Sequence, residues 1–176
     1  MSAVVTPLGS SGPNPALAPD TLDGEARVNL IGRLDDMVDI VERPPTLREY
    51  KDLREVCGWG NVSDESTQVS IDNALYSVCL EENKRIVALG RVVGDGGMYF
   101  YVQDVIVVPS RRGLGYSRII MNKIMEYLKK EAPQGAFVGL MAAENAEPLY
   151  KKYGFIERPC HKHGAGMFQT WKKETG

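Results

Sequence analysis

The segment VIVVPSRRGLGYS, residues 105–117, sets two arginines and two glycines directly behind a run of β-branched residues. A strand ending at Pro109, a short turn and a helix opening near Gly113–Gly115 would leave backbone N–H groups at the positive end of a helix dipole. That arrangement favours an anionic group. The glycines let a ligand approach the backbone closely, and Arg111 and Arg112 add positive charge. A P-loop is excluded, because no Lys-Ser/Thr pair follows Gly115. A dinucleotide fingerprint would need glycine where Arg118 stands. A phosphate-accepting turn of another kind remains, beside the plainer reading of a tight turn with a solvated arginine pair. The spacing leaves both open.

The elements needed to hold this turn can be read from period and punctuation. MVDIVE (37–42) alternates apolar and polar residues as a first strand does. Thr46 and Glu49 form a capping box behind Pro44-Pro45, so a helix should start at Leu47 with Leu47, Tyr50, Leu53 and Cys57 on one face and end at Gly58–Gly60. Residues 63–75 form a weaker helix capped by Ser63. YSVCLEE and IVALGRVVGD make a hairpin about Asn83, Lys84 and Arg85, and GMYFYVQDVIVVP follows as a third long strand after the turn GDGG. From Gly115 the pattern turns helical, with Tyr116, Ile120, Ile124, Tyr127 and Leu128 as the apolar stripe. A short strand AFVGLMAA, a short helix through Tyr150 closed by Gly154, and strands FIERP and GMFQTWK complete the order. This is a mixed α/β (α+β) arrangement of helices on a largely antiparallel sheet, not a doubly wound one.

Composition narrows the class. A chain of 176 residues with 43% hydrophobic and 25% charged residues fits one domain with a full core. Residues 1–25, rich in Pro, Gly, Ser and Ala, read as a flexible tail ahead of a single domain over 26–176. A net charge of −2 gives no pull toward nucleic acid, and no apolar run reaches the ~20 residues of a membrane span. Cys57, Cys79 and Cys160 have neither zinc-ligand nor disulfide-framework spacing, which suits a reducing, cytoplasmic setting. His161 and His163 beside Cys160 invite a metal reading, but no further ligand cluster supports it, and no metal is expected.

At residues 105–117 the chain resembles the acyl-CoA signature of the GNAT superfamily of N-acetyltransferases, V-x-P-x-x-(R/Q)-x-x-G-x-(G/A). Val107, Pro109, Arg112, Gly115 and Ser117 occupy its positions, Ser117 in place of the usual Gly or Ala. A second signature, A-x-x-L-Y-x-K-x-G-F, is matched by Ala146, Leu149, Tyr150, Lys152, Gly154 and Phe155, with an unusual Pro148. The resemblance covers roughly residues 37–171. It implies the GNAT fold: a twisted, mostly antiparallel sheet of about six or seven strands with about four helices, splayed between strands four and five. A homodimer through strands six and seven is common in the family, and nothing in this sequence demands one.

The resemblance also implies a set of roles. Acetyl-CoA would lie in the splay, with the N–H groups of Arg112, Gly113, Leu114, Gly115, Tyr116, Ser117 and Arg118 on its pyrophosphate. Val105, Ile106 and Val107 would pair with its pantetheine arm, and the Val107 N–H would polarise the thioester carbonyl. Asn145 resembles an asparagine that often contacts the cofactor, although the family's usual position holds Ala143 here. Tyr150 would protonate the leaving thiolate; the plain alternative is a packed aromatic on a short helix. The base is open among a water, Asp104, His161 and His163. The acceptor pocket would draw on Cys57, Trp59 and Asn61, on Tyr99, Tyr101 and Gln103, and on Met167 and Phe168. The expected acceptor is a small primary amine, either an amino sugar such as glucosamine or an arylalkylamine. A protein lysine or N-terminal acetyltransferase and a non-enzymatic acetyl-CoA sensor or scaffold are the alternatives.

Overall fold

The structure is a computed structural model that describes residues 38–60 and 62–170. The expected tail (1–25), Asn61 and the end of the last expected strand lie outside the described residues. The element order is β1 (Asp39–Val41), α1 (Leu47–Val56), α2 (Asp64–Asp72), β2 (Tyr76–Glu82), β3 (Arg85–Gly94), β4 (Tyr99–Val107), a 3₁₀ turn (Pro109–Arg111), α3 (Tyr116–Glu131), β5 (Phe137–Gly139) and α4 (Glu147–Lys151). The chain falls into two units, Met1–Val138 and Gly139–Gly176.

In the first unit the local signals determine the local structure. Thr46 accepts from the Glu49 N–H while the Glu49 carboxylate accepts from the Thr46 N–H, so both halves of the capping box form. Ser63 accepts from the Ser66 N–H and opens α2. Asn83 and Lys84 both take positive φ, which matches the twist of a two-residue hairpin between β2 and β3. In the turn before β4, one Asp95 carboxylate oxygen accepts from the N–H groups of Gly97, Met98 and Tyr99 at 2.8–3.0 Å.

The strands run in spatial order β1-β2-β3-β4-β5, antiparallel from β1 to β4. β5 runs parallel to β4, so its connection needs a crossover, which α3 supplies. Phe137 N–H donates to the Met98 carbonyl at 2.8 Å, and its ring tilts onto Tyr99. Tyr116, Ile119, Ile120, Met121, Ile124 and Leu128 of α3 are buried, and Tyr127 stacks on Tyr76 with ring centroids 4.6 Å apart. Tyr50, Leu53 and Ile71 of α1 and α2 share a core with Cys79, Leu89 and Ile106 of the sheet.

α3 lies close to β3 because Gly90 has no side chain. A Cβ there would stand 2.2 Å from Ile120 Cγ2 and 2.9 Å from Ile124 Cδ1, both on fully buried residues. Gly90→Ala is therefore expected to destabilise the fold by about 1–3 kcal/mol through overpacking, read as a lower urea midpoint. An unchanged midpoint would mean that α3 can ride off the sheet without cost.

β4 carries an irregularity invisible in the sequence. Leu89 pairs with Ile106 but Arg91 pairs with Gln103, so β4 holds one extra residue opposite Gly90. Asp104 lies in this bulge with a left-handed φ of 54°. Bulges bend a strand and re-aim its edge, here immediately before Val105–Val107.

In the second unit α4 ends in a turn to Gly154, whose φ is 83°. Pro148 lies in the first turn of α4, where a missing N–H breaks no helical bond, so the unusual residue is accommodated. Against the sequence expectation of six or seven strands, the described residues form five. Residues 155–159 and 166–170 form no strand, and the only pairing among them and the intervening loop is the isolated bridge Cys160–His163. Ile156, Met167 and Phe168 are 78%, 90% and 81% exposed. Alternation defines a strand only when one face is buried, and these faces are not. Pro159 also removes a ladder donor.

Candidate active site

The turn after β4 is built as a concave backbone. Gly113 and Gly115 have φ of 79° and 90°, a conformation glycine adopts without steric cost. Gly115 caps α3, and its carbonyl receives the N–H groups of Arg118 and Ile119 at 2.9 and 3.3 Å. The N–H groups of Tyr116 and Ser117 open the helix and have no carbonyl one turn ahead to bond. Arg112, Gly113 and Leu114 are exposed, Ser117 and Arg118 half-buried. An anionic diphosphate fits this arrangement: a cationic side chain, two residues without side chains and a helix N-terminus follow one another along the chain.

The two arginines divide their work. Arg111 Nε donates to both carboxylate oxygens of Glu82 at 2.8 Å. The buried Tyr116 gives its hydroxyl to the same carboxylate at 2.7 Å. Glu82, at the end of β2, thus grips Arg111, two positions before the first glycine, and Tyr116, directly after the second. Burial pushes its carboxyl up, but the Tyr116 hydroxyl and the Arg111 guanidinium outweigh it, so the group is held below the ordinary glutamate value. Tyr116 can therefore offer a ligand only its backbone. Arg112 is the arginine left to meet a ligand, and its Nε also donates to the Val107 carbonyl at 3.3 Å.

Along β4, half-buried Tyr101, Gln103, Val105 and Val107 alternate with buried Val102, Asp104 and Ile106, as the sequence alternation requires. Val108 N–H is bonded to the Val87 carbonyl of the β3 segment at 2.9 Å. By strand geometry the Val107 N–H points the other way, off the β3 edge.

Asp104 is not available as a base. Its Oδ2 receives Arg91 Nε at 2.8 Å, Arg91 Nη2 at 2.6 Å and the Tyr50 hydroxyl at 2.7 Å, and its Oδ1 receives Gln103 Nε2 at 3.1 Å. Both Asp104 and Arg91 are buried. Arg91 also donates to the Ser70 carbonyl and hydroxyl. The carboxylate is fully engaged in holding the bulge to α1 and α2.

Above this network lies a cleft of about 280 Å³ between α1, α2 and the β3–β4 pair, lined by Tyr50, Arg54, Val62, Ser66, Ser70 and Gln103 among others. Gln103 was expected here. Trp59 is 36% exposed, so it is not a core residue, and its ring stacks under the Arg54 guanidinium at 5.4 Å. Tyr101 lies on the same strand face, its hydroxyl pKa raised by burial. Cys57 packs against the core, with Sγ 4.0 Å from Arg112 Nη2. Ser66, Ser70, Arg54 and the Glu82 clamp escape sequence reading, because isolated serines and strand-end glutamates are ordinary surface residues.

In the second unit Tyr150 is 9% exposed and its ring meets Phe155 edge-on at 6.2 Å. Burial raises its pKa above the ordinary value. Asn145 is exposed with a φ of 64°. Phe168 lies on an irregular, exposed segment, and His161 and His163 are exposed. No cluster of metal-ligating side chains is found among the described residues, and no helix among them is long and apolar enough to cross a membrane.

Comparison with known proteins points to one family. The acetyltransferase (GNAT) domain family matches residues 49–169. A probable acetyltransferase of unknown function from meticillin-resistant Staphylococcus aureus shares the fold with a TM-score of 0.71 and 33% identity, covering 77% of this chain and all of that one. An uncharacterized N-acetyltransferase of the alga Pyropia yezoensis is 24% identical over 117 residues, 64% of this chain and 66% of its own length. The chloroplastic serotonin N-acetyltransferase 2 of rice is 30% identical over 86 residues, 49% of this chain and 42% of its own. The chain thus spans about two thirds or less of the curated relatives it matches. With the family matched across most of its length and the fold found in a solved relative, the chain belongs to the GNAT acetyltransferase family.

Proposed function

We propose that the chain transfers the acetyl group of acetyl-CoA to a primary amine of a small molecule, the two held together so that the amine attacks the thioester directly. The observation that carries this reading is the glycine cradle between Arg112 and Ser117, opening α3 beside a bulged strand edge. Bound acetyl-CoA supplies the activated acyl group. The N–H groups from Arg112 to Arg118 hold its pyrophosphate, with Arg112 adding charge. The backbone of Val105, Ile106 and Val107 pairs with the pantetheine arm, and the Val107 N–H stabilises the oxygen of the carbonyl under attack. Tyr150 returns a proton to the departing thiolate. Trp59, Tyr101 and Gln103 bound the acceptor. With Asp104 engaged, the amine loses its proton to water. The serotonin N-acetyltransferase among the relatives supports an arylalkylamine as one acceptor class.

The test is an acetyl-transfer assay that follows CoA release with a panel of amino sugars, arylalkylamines and lysine peptides. Turnover of small amines supports the reading. Faster turnover of peptides would replace it with a protein acetyltransferase, and acetyl-CoA binding with no turnover would replace it with a sensor.

The Glu82 clamp gives a second expectation. Glu82→Gln removes the charge that holds Arg111 and Tyr116, so the KM for acetyl-CoA is expected to rise roughly tenfold, the scale of one charge-assisted hydrogen bond, while kcat stays within about twofold. The folded carboxyl is depressed, so its contribution is present above the unfolded pKa of about 4.3 and is lost only as pH falls through the folded value. The KM for acetyl-CoA in the wild type should accordingly not change between pH 5 and 8 on account of Glu82. A drop in kcat with unchanged KM would show that the clamp serves something other than cofactor binding.

A further inference from the structure

The cleft over β4 is rich in donors and poor in acceptors. Arg54 brings a guanidinium with five N–H donors; its Nη2 donates to the Gly60 carbonyl at 2.8 Å, and the guanidinium also interacts with the Tyr50 hydroxyl. Stacking over Tyr50 and Trp59, at 5.7 and 5.4 Å, holds it at the wall. Ser66 and Ser70, one helical turn apart on α2, line the same space. The Ser66 oxygen already accepts from Ser63 and the Ser70 oxygen from Arg91, so each keeps its own O–H to donate. No carboxylate lines the cleft. The nearest, Asp104, is paired with Arg91, which itself lines the cleft, and Asp64 at the start of α2 is paired with Lys51. A cleft with one net positive charge and free hydroxyl donors does not suit a plain cationic amine.

We propose that the acceptor amine also carries an anionic group, a carboxylate or a phosphate, and that Arg54 receives that group with the Ser66 and Ser70 hydroxyls. Gln103 lines the same cleft and lies two residues before Val105 on one strand face. An acceptor anchored at Arg54 would therefore extend its amine toward the strand edge assigned above to the thioester. This inference rests on the acetyltransferase reading and narrows its acceptor. An arylalkylamine without an anionic group becomes the weaker substrate.

The experiment compares matched acceptors with and without the anion: glucosamine 6-phosphate against glucosamine, and tryptophan against tryptamine. The wild type is expected to favour the anionic member of at least one pair by roughly 30-fold in kcat/KM, within the range of charge-assisted hydrogen bonds. The pair that responds tells phosphate from carboxylate. Arg54→Gln should collapse that preference to about threefold or less, and Arg54→Lys, which keeps the charge, should return part of it. A readout independent of turnover is the thermal shift of the wild type and of Arg54→Gln with millimolar glucosamine 6-phosphate, tryptophan or inorganic phosphate. Anion binding that needs Arg54, with no acetylation of any amine, sinks the transferase reading and leaves the anion site standing. Turnover of the members lacking the anion at equal or greater rate, or a preference that Arg54→Gln leaves intact, overturns the anion site and leaves the transferase.

Discussion

Tyr150→Phe is expected to lower kcat by roughly 100-fold or more, the lower end of what a positioned general acid contributes. The KM for acetyl-CoA should move by no more than about threefold. Phenylalanine keeps the edge-on contact with Phe155, and nothing is added to a site that is 9% exposed, so stability should fall by less than about 1 kcal/mol. That split separates a chemical role from a packing role. Burial raises the Tyr150 pKa above its usual value near 10, so the hydroxyl stays protonated throughout the neutral range and remains a donor. The sign follows: no loss of rate below about pH 10 should trace to its ionisation. A basic-limb pKa near 8 that disappears in Tyr150→Phe would contradict the assignment, and so would a variant with wild-type kcat.

Asp104→Asn should have the largest effect on stability, about 3–5 kcal/mol, the usual cost of breaking a buried ion pair from one side. Asparagine is the informative replacement because it tolerates the left-handed φ of 54° and preserves shape. The effect is then confined to the charge. Arg91, 2% exposed, would keep the Ser70 carbonyl and hydroxyl as partners but lose its only counter-ion found among the described residues. For a domain of this size the melting temperature should drop by roughly 10 °C. Adding Arg91→Gln should cost much less than the sum of the single changes, because the second change removes the orphaned charge. A loss below about 1 kcal/mol in the single variant would show that water reaches Arg91 and that the network does not hold the bulge.

The helices and the cradle were legible because their causes are local. A capping box needs residues three apart, Gly113 and Gly115 announce positive φ, and the stripe on α3 repeats every turn. Tyr150 was singled out by a motif within ten residues of chain. The features that govern the cleft are of another kind. Tyr50 meets Asp104 across 54 positions, Tyr116 meets Glu82 across 34 and Arg91 meets Asp104 across 13. No periodicity encodes such pairings. A strand-four aspartate looks like a base until Arg91 is found beneath it, and a strand-end glutamate looks solvated until a turn folds onto it. FIERP and GMFQTWK carry strand-like alternation, yet a ladder needs a neighbour and a buried face, and Ile156, Met167 and Phe168 stay exposed.

The family, the element order through α4 and the turn of Gly113 and Gly115 could thus be read from the sequence alone, since each depends on φ preference, capping or spacing within one or two turns of chain. Tertiary structure alone decided that Asp104 is a structural counter-ion, that Glu82 braces the cradle, that Trp59 backs Arg54, and that the cleft over β4 carries a net positive charge. Those outcomes depend on which distant charges the packed sheet and helices bring together and remove from water, and that balance of pairing against desolvation exists only once the chain has folded.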